Sequence, residues 1–327
     1  MSERLAELQN WLAEVLPDRG IELAPASSDA SFRRYFRIRT GDGTRIVMDA
    51  PPERESVQRY VQVARMLAST GVHVPEVFAV DVDRGFVLLG DLGERTYLDV
   101  LQGHHDAEPL YLDAIAALLR IQTAGDPSGL PLYDRALLER ELTIFREWFL
   151  ERHLGLRLDA ATSAGLYDVE RFLVDAALVQ PRTVVHRDYH SRNLMLSQPN
   201  PGILDFQDAV VGPVTYDLVS LLRDCYVAWP SERVIGWLRR YHRQAAAAGL
   251  PVGNLAEFGR SFDLAGVQRH LKAIGIFARL WHRDGKPGYL GDIPRVLRYV
   301  DEVACEYPEL APLRRLVEHD VLPRLPA

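Results

Sequence analysis

A set of polar residues at fixed intervals within positions 186–205 constrains the fold of this chain more than any other feature of its sequence. The stretch reads H-R-D-x-x-x-x-N, which places Asn193 five residues after Asp188. Asp205 follows twelve residues later, with an aromatic residue directly behind it. Short apolar runs at 183–185, 194–196 and 202–204 lie between these positions. Because short strands hold the loop between them rigidly, the pattern predicts one site that combines the three polar side chains.

This spacing is typical of enzymes that transfer a phosphoryl group from ATP. The reaction needs one carboxylate beside the attacking hydroxyl and two oxygen ligands on the metal that bridges the phosphates. Asp188 fits the role of catalytic base, and Asn193 with Asp205 fits the role of metal ligands. We therefore predict ATP and Mg²⁺ as cofactors. The alternative is a chance match, in which a His–Asp pair only ties loops together.

Residues 186–218 resemble the aminoglycoside phosphotransferase family, the small-molecule branch of the protein-kinase-like fold. The likeness rests on the loop around Asp188, on Asp205 beside an aromatic residue, and on the run G-P-V-T-Y-D-L at 212–218. The resemblance implies an α+β, two-lobed protein-kinase-like fold with a small antiparallel-sheet N-lobe and a larger, mainly helical C-lobe. It also implies structural roles for His186 and for Asp217, which would brace the catalytic loop.

The order of the predicted elements agrees with two lobes. Helices are predicted at 1–20 and 55–70, and strands at 32–40, 44–50, 77–80 and 86–89. Helical patterns then follow at 107–123, 135–154, 164–178, 232–248, 255–280 and 294–307. Strands before helices predict a nucleotide-binding N-lobe of residues 1–90 and a helical C-lobe of residues 91–327 with the catalytic loop and the acceptor site.

Composition narrows the class of protein. The chain has 327 residues, of which 47% are hydrophobic and 25% charged, as in ordinary globular proteins. No apolar run approaches the roughly 20 residues of a membrane helix, and the first residues lack a signal-peptide core. Two cysteines indicate neither a disulfide framework nor a metal site. We expect a cytoplasmic protein without a membrane partner, for which a monomer is plausible; the net charge of −7 argues against nucleic acid as a partner.

The N-lobe departs from the kinase pattern where the phosphates should bind. The 38 lysines and arginines include only two lysines, Lys272 and Lys286, so the first 90 residues contain none. Asp49 stands at or beside the position expected for the phosphate-pairing lysine. The turn at 27–33, which should cover the phosphates, contains no glycine.

Other groups must then bind the nucleotide. Serines in the turn can donate hydrogen bonds, and arginines on one face of the next strand can bind phosphate through two parallel bonds. The alternative is that these arginines are solvated charges on the strand. Family geometry implies backbone contacts from the linker to the adenine edge. The predicted nucleotide-binding residues are Ser28, Ser31, Arg33, Arg37, Gly90 and Leu92.

Further segments make the chain similar to one subgroup of the family, the bacterial anomeric kinases of N-acetylmuramate and N-acetylglucosamine in cell-wall recycling. These segments are 31–37, 47–53, 188–193 and 268–280. The resemblance implies a free amino sugar as the partner and phosphoryl transfer to its C1 hydroxyl. A muramate carries a lactyl carboxylate, which a cation near residues 269–272 would favour. The predicted substrate-binding residues are His190, Arg192, Gln207, Asp208 and Arg269.

Two other functions stay open on the sequence alone. The first is a kinase of the same fold for an aminoglycoside, homoserine, choline or a thiosugar. Antibiotic kinases hold polycations in strongly acidic clefts, whereas Arg187, Arg192 and Arg223 lie near this site in sequence. The second is a pseudokinase that only binds its partners. The missing lysine and glycine loop favour a pseudokinase, and the complete set of base and metal ligands favours an enzyme.

Overall fold

The computed structural model describes residues 3–17, 21–27, 33–53, 56–103 and 106–325. Its strands are β1 Ala24–Ser27, β2 Arg34–Thr40, β3 Gly43–Asp49, β4 Val77–Asp81, β5 Phe86–Gly90, β6 Arg182–Val185, β7 Leu194–Met195, β8 Gly202–Ile203 and β9 Val210–Pro213. Its α-helices are α1 Glu3–Val15, α2 Val57–Ser69, α3 Tyr97–Gln102, α4 Glu108–Ala124, α5 Arg135–Ile144, α6 Ala160–Leu178, α7 Tyr216–Leu222, α8 Ser231–Ala247, α9 Leu255–Asp284, α10 Ile293–Glu306 and α11 Ala311–Leu316. A π-helical segment, Phe145–His153, continues α5.

The first five strands form one antiparallel sheet in the order β1-β2-β3-β5-β4. The predicted hairpin between the second and third strands is confirmed, with Thr40 paired to Gly43 across the turn. β1 was not predicted, because its sequence A-P-A-S lacks alternating apolar residues. It lies at the sheet edge, where a proline that cannot donate a ladder hydrogen bond is tolerated.

The two faces of the sheet are covered by helices from the same half of the chain. On one face, Leu8 and Trp11 of α1 pack against Val47 in a small apolar cluster. On the other face, Met48 belongs to a larger cluster that includes Tyr60 of α2. Neighbouring residues of β3 therefore point to opposite helices, as the period of two in a strand requires.

The rest of the chain is mainly helical and is organised around α9, the longest helix. α9 packs against the π-helical segment and against α5, α6, α7 and α10. Gly275 permits its close crossing with α5, since a Cβ there would lie 2.6 Å from the backbone carbon of Ile144. Gly285, at a φ of 67°, ends the helix in the left-handed conformation that favours glycine. No described helix is long and apolar enough to cross a membrane.

Two short strand pairs position the predicted catalytic segment. β6 pairs with β9 and β7 pairs with β8, both antiparallel. The loop that contains Asp188 connects β6 to β7, and Asp205 follows two residues after β8. The prediction of strands around these residues is confirmed, although β9 was missed because Gly212 and Pro213 fall in its four residues.

The carboxylate of Asp49 is a structural link within the sheet lobe. The side chain is fully buried and accepts hydrogen bonds from Arg4 Nε at 2.7 Å and from Arg34 Nε at 3.0 Å. The three residues belong to β3, α1 and β2. Asp49 therefore uses its charge to hold α1 against the sheet, which explains a carboxylate near the position where a phosphate-pairing lysine was expected.

We expect Asp49→Ala to destabilise the protein by about 2 kcal/mol, within the range for hydrogen bonds to a charged group, because the partly exposed Arg4 and Arg34 lose their carboxylate partner. Chemical denaturation measures this as a change in the free energy of unfolding. The matched control is Asp42→Ala, which removes an exposed carboxylate from its surface pair with Arg45 and should cost less than about 1 kcal/mol. Equal effects of the two substitutions would contradict this account.

Candidate active site

The catalytic loop is held at its start by a buried carboxylate. Asp217, in the first turn of α7, accepts the backbone N–H of His186 at 2.6 Å and that of Arg187 at 2.9 Å. The His186 ring links the loop to the segment after β8, because Nδ1 accepts from the Asp188 N–H at 3.3 Å and Nε2 donates to the Leu204 carbonyl at 2.9 Å. These bonds place Asp188 and Asp205 on facing segments.

Two residues of the site adopt backbone conformations that usually require glycine. Arg187 has a φ of 80° and Asp205 a φ of 59°. Such a conformation costs a side chain about 1–3 kcal/mol and persists only where neighbouring contacts enforce it. For Arg187 those contacts are the bond to Asp217 and a 2.5 Å ion pair with Glu141. Strained residues of this kind cluster at functional sites.

Asn193 and Asp205, the predicted metal ligands, lie side by side. The Asn193 amide nitrogen donates to the Asp188 carbonyl at 3.0 Å and lies 3.4 Å from Asp205 Oδ2. With its nitrogen engaged in this way, the amide can offer its oxygen to a cation. Among the described residues, no group of three or more His, Cys, Asp or Glu side chains is placed to hold a metal ion. An amide oxygen and a carboxylate are oxygen ligands of the kind that Mg²⁺ binds, and this ion usually takes its other ligands from phosphate and water.

The two predicted phosphate-binding arginines occupy different places. Arg33 lies at the site, with NH1 3.7 Å from Asp205 Oδ1, and its side chain is 8% exposed. Arg37 instead binds Asp91 through two hydrogen bonds of 2.7 and 3.0 Å and also pairs with Glu94. Its guanidinium thus links β2 to the segment between the lobes.

The other four predicted nucleotide-binding residues lie at the end of β5, just after it, or outside the described residues. The Gly90 N–H donates to the Glu76 carbonyl at 2.8 Å, so this donor is used within the sheet lobe. The Leu92 side chain is buried against Gly202 of β8. Ser28 and Ser31 lie outside the described residues. The contribution of all four to nucleotide binding stays a prediction.

A buried carboxylate on α5 balances two cations behind Asp188. Glu141 Oε1 lies 2.5 Å from Arg187 NH2 and 3.1 Å from Lys272 Nζ. Its other oxygen accepts from the Tyr133 hydroxyl and from Gln268 Nε2 at 3.2 Å. Glu141 was not among the residues predicted from the sequence, although one signal was available. Leu138, Glu141 and Leu142 share the buried face of α5, where a charged residue requires a partner.

These cations control the ionisation of the predicted base. Burial acts to raise the pKa of the Asp188 carboxyl, but the positive charge of Lys272, supported by Arg187 and Arg269, holds this pKa below its ordinary value. Burial also lowers the pKa of His190 to about 4, so this neighbouring imidazole is neutral at neutral pH. Asp188 is therefore an anion of low basicity under physiological conditions.

The predicted substrate-binding side chains do not all face the same way. His190 is 8% exposed and packs edge-on against Tyr226, whose ring also lies 4.0 Å below the Arg192 guanidinium. Gln207 Nε2 donates to Asp205 Oδ1 at 2.8 Å, so this amide orients a predicted metal ligand. The other two predicted substrate-binding residues differ in burial. Asp208 is exposed, whereas Arg269 is buried, with an exposed fraction of 4%.

Helix α2 docks on the segment that follows Asp205. Arg59 donates from NH2 to the Ala209 carbonyl at 2.7 Å and from Nε to the Gln207 carbonyl at 3.2 Å. Beside it, the rings of Tyr60 and Phe206 lie 4.9 Å apart. The first 90 residues contain no lysine that could pair with the phosphates. Arg59 makes a different link, because it ties α2 to the backbone of the segment that follows Asp205.

Comparison with known proteins places the chain in a family. A family profile described as "Phosphotransferase enzyme family" (APH) matches residues 22–255. The chain belongs to this phosphotransferase family. The predicted resemblance to aminoglycoside phosphotransferases is therefore confirmed.

Relatives and solved structures extend this result beyond the matched segment. The chain is 51% identical over 325 residues to an N-acetylmuramate/N-acetylglucosamine kinase of Pseudomonas putida, with 96% of each chain covered. It is 46% identical over 320 residues to a kinase of the same name from Neisseria meningitidis, with 96% and 95% covered. A choline kinase structure from Streptococcus pneumoniae matches with a TM-score of 0.66 at 12% identity, covering 92% of this chain and 100% of that one. This structural likeness confirms the predicted kinase-like fold.

We expect Arg59→Met to lower kcat for phosphoryl transfer by roughly 10- to 100-fold, because the segment that contains Asp205 loses its support and small displacements at a reacting centre are costly. Steady-state kinetics measures the effect. Arg65→Met on the exposed face of α2 is the matched control and should leave kcat unchanged. Unchanged turnover in the Arg59 variant would refute a role for this contact in positioning Asp205.

We expect Lys272→Met to move the acid limb of the kcat/KM profile to higher pH. The lysine keeps the pKa of Asp188 low, so its loss raises that pKa, and protonation then removes the active carboxylate at a higher pH. Lys286→Met, which removes the other lysine of the chain, is the control. A pH–rate profile with an unshifted acid limb in the Lys272 variant would contradict the assignment.

Proposed function

We propose that this protein is an ATP-dependent kinase that phosphorylates the anomeric C1 hydroxyl of N-acetylmuramate, N-acetylglucosamine or both. The observation that carries the proposal is the 51% identity, over 96% of both chains, to a kinase named for these two sugars. The arrangement of Asp188, Asn193 and Asp205 supports it. The product would be a sugar 1-phosphate, formed in the cytoplasm during cell-wall recycling.

In this proposal Asp188 orients the acceptor hydroxyl and accepts its proton late in the reaction. An anomeric hydroxyl is more acidic than the other hydroxyls of a sugar, so a carboxylate of lowered pKa suffices. Phosphoryl transfer passes through a loose transition state, and its catalysis depends mainly on positioning and charge stabilisation. The rigid attachment of the loop through Asp217 and His186 supplies that positioning.

Asn193 and Asp205 are the residues that would hold Mg²⁺. When bound, the ion neutralises charge on the phosphate oxygens. Gln207 holds the Asp205 carboxylate in place through the 2.8 Å hydrogen bond. Arg33 is our candidate for the cation that replaces the missing lysine, because it reaches Asp205 whereas Arg37 is engaged at the linker.

The electrostatics disfavour two of the acceptors that the sequence left open, choline and an aminoglycoside. Choline and aminoglycosides are cations, and a cation beside Asp188 would meet the positive charges of Lys272 and Arg269 in a buried environment. A neutral or acidic sugar avoids this repulsion. The pseudokinase alternative is disfavoured by the family relatives, which are named as kinases along almost their full length.

We expect Asp188→Asn to lower kcat at least about 100-fold, the low end for loss of a general base. The assay follows ³¹P NMR signals of sugar 1-phosphate with ATP, Mg²⁺ and a panel that includes both amino sugars, choline and an aminoglycoside. Asp168→Asn, at an exposed position of α6, is the control and should be fully active. The proposal fails if the wild-type protein binds ATP normally but phosphorylates neither amino sugar.

A further inference from the structure

The three permanent cations around Asp188 differ in how their charge is balanced. Arg187 and Lys272 share the Glu141 carboxylate, at 2.5 and 3.1 Å. Arg269, one turn before Lys272 on α9, forms no ion pair with any carboxylate among the described residues. Its one hydrogen bond runs from NH1 to the thiol sulfur of Cys225 at 3.4 Å, and its Nε is buried without a partner.

Such an arrangement is costly unless a ligand completes it. A buried charge is stabilised only when it is paired and its remaining donors are hydrogen-bonded. A neutral thiol is a weak acceptor and supplies no negative charge. At 4% exposure, Arg269 has little solvent to compensate. The planar guanidinium therefore offers two adjacent donors to an anion, the geometry that a carboxylate matches.

A second unpartnered group lies at the same place. His190 Nδ1 is buried without a hydrogen-bond partner, and the residue is 8% exposed. His190 lies two residues after Asp188. Arg269 contacts Cys225, and the ring of the next residue, Tyr226, lies 5.3 Å from the His190 imidazole. Two buried nitrogens, one from the catalytic loop and one from α9, thus lack hydrogen-bond partners near the predicted base.

We propose that Arg269, assisted by His190, forms a subsite for the lactyl carboxylate of N-acetylmuramate. This inference rests on the proposed function and adds the residues that distinguish its two sugars. The lactyl group is attached to O3, two ring carbons from the C1 hydroxyl that Asp188 would orient. N-Acetylglucosamine has a plain hydroxyl at that position. Arg269 therefore contributes binding energy to the acidic sugar that the neutral sugar cannot use.

The decisive measurement compares both sugars in Arg269→Gln. We expect kcat/KM for N-acetylmuramate to fall about 10- to 100-fold, mainly through KM, the effect of losing a hydrogen-bonded charge. The value for N-acetylglucosamine should change less than about 3-fold, within the range of a minor substitution. Arg269→Lys retains the charge but loses the two-donor geometry, so it should recover part of the muramate activity.

The control is Arg146→Gln in the same lobe, where the arginine already pairs with Glu170 at 3.1 Å. It should leave the ratio of the two kcat/KM values unchanged. Equal losses for both sugars in Arg269→Gln would overturn the subsite and assign Arg269 to the phosphates or to the fold. If the wild-type protein phosphorylates neither sugar, the proposed function itself has failed, and the two failures are thereby separated.

A measurement on the unmodified protein covers the case in which the Arg269 variants do not fold. The methyl ester of N-acetylmuramate keeps the bulk of the lactyl group and lacks its charge. We expect its KM to exceed that of the free acid by about 10-fold or more. An ester that is used as well as the acid would overturn the subsite without any variant.

Discussion

The buried carboxylate of Glu141 is the charge on which the arrangement of the site depends. It joins α5, the catalytic loop and α9, because its partners Arg187 and Lys272 come from the last two. Removing one partner of a buried ion pair leaves an uncompensated charge. The three elements therefore stabilise one another's positions. The loop that contains Asp188 is held by the ion pair between Arg187 and Glu141 and by the hydrogen bonds of its first residues to Asp217.

Glu141 does not neutralise all the positive charge near Asp188, and the excess positive charge has chemical consequences. One carboxylate balances two cations, while Arg269 adds a third close to Asp188. The excess positive charge keeps the base ionised and weakly basic. It also favours a site that receives negative charge, whether from the transferred phosphoryl group or from an acidic acceptor. Because a loose transition state makes little demand on the base, a weakly basic carboxylate is compatible with an acceptor such as an anomeric hydroxyl.

The sequence predicted the parts of the site that depend on short spacing. Asp188, Asn193 and Asp205 lie within 18 positions between short strands, so local geometry alone brings them together. Glu141 and Arg59 were not predicted, because the cations that pair with Glu141 and the carbonyls that bind Arg59 lie 46 or more residues away in the chain. A local sequence pattern does not predict which distant residue will form an ion pair with a given buried charge. Asp49 shows the same limit, since its partner Arg4 comes from a helix 45 residues earlier.

The connection between the lobes is made by arginines, since the first 90 residues contain no lysine. Here Arg59 binds backbone carbonyls of residues 207 and 209, and Arg33 approaches Asp205. Backbone acceptors are present whatever the side chain, so the contact from α2 depends on Arg59 and on the path of the chain. The positive φ of Asp205 defines that path. The helix of the sheet lobe therefore holds, by its main chain, the segment that follows Asp205, the predicted metal ligand.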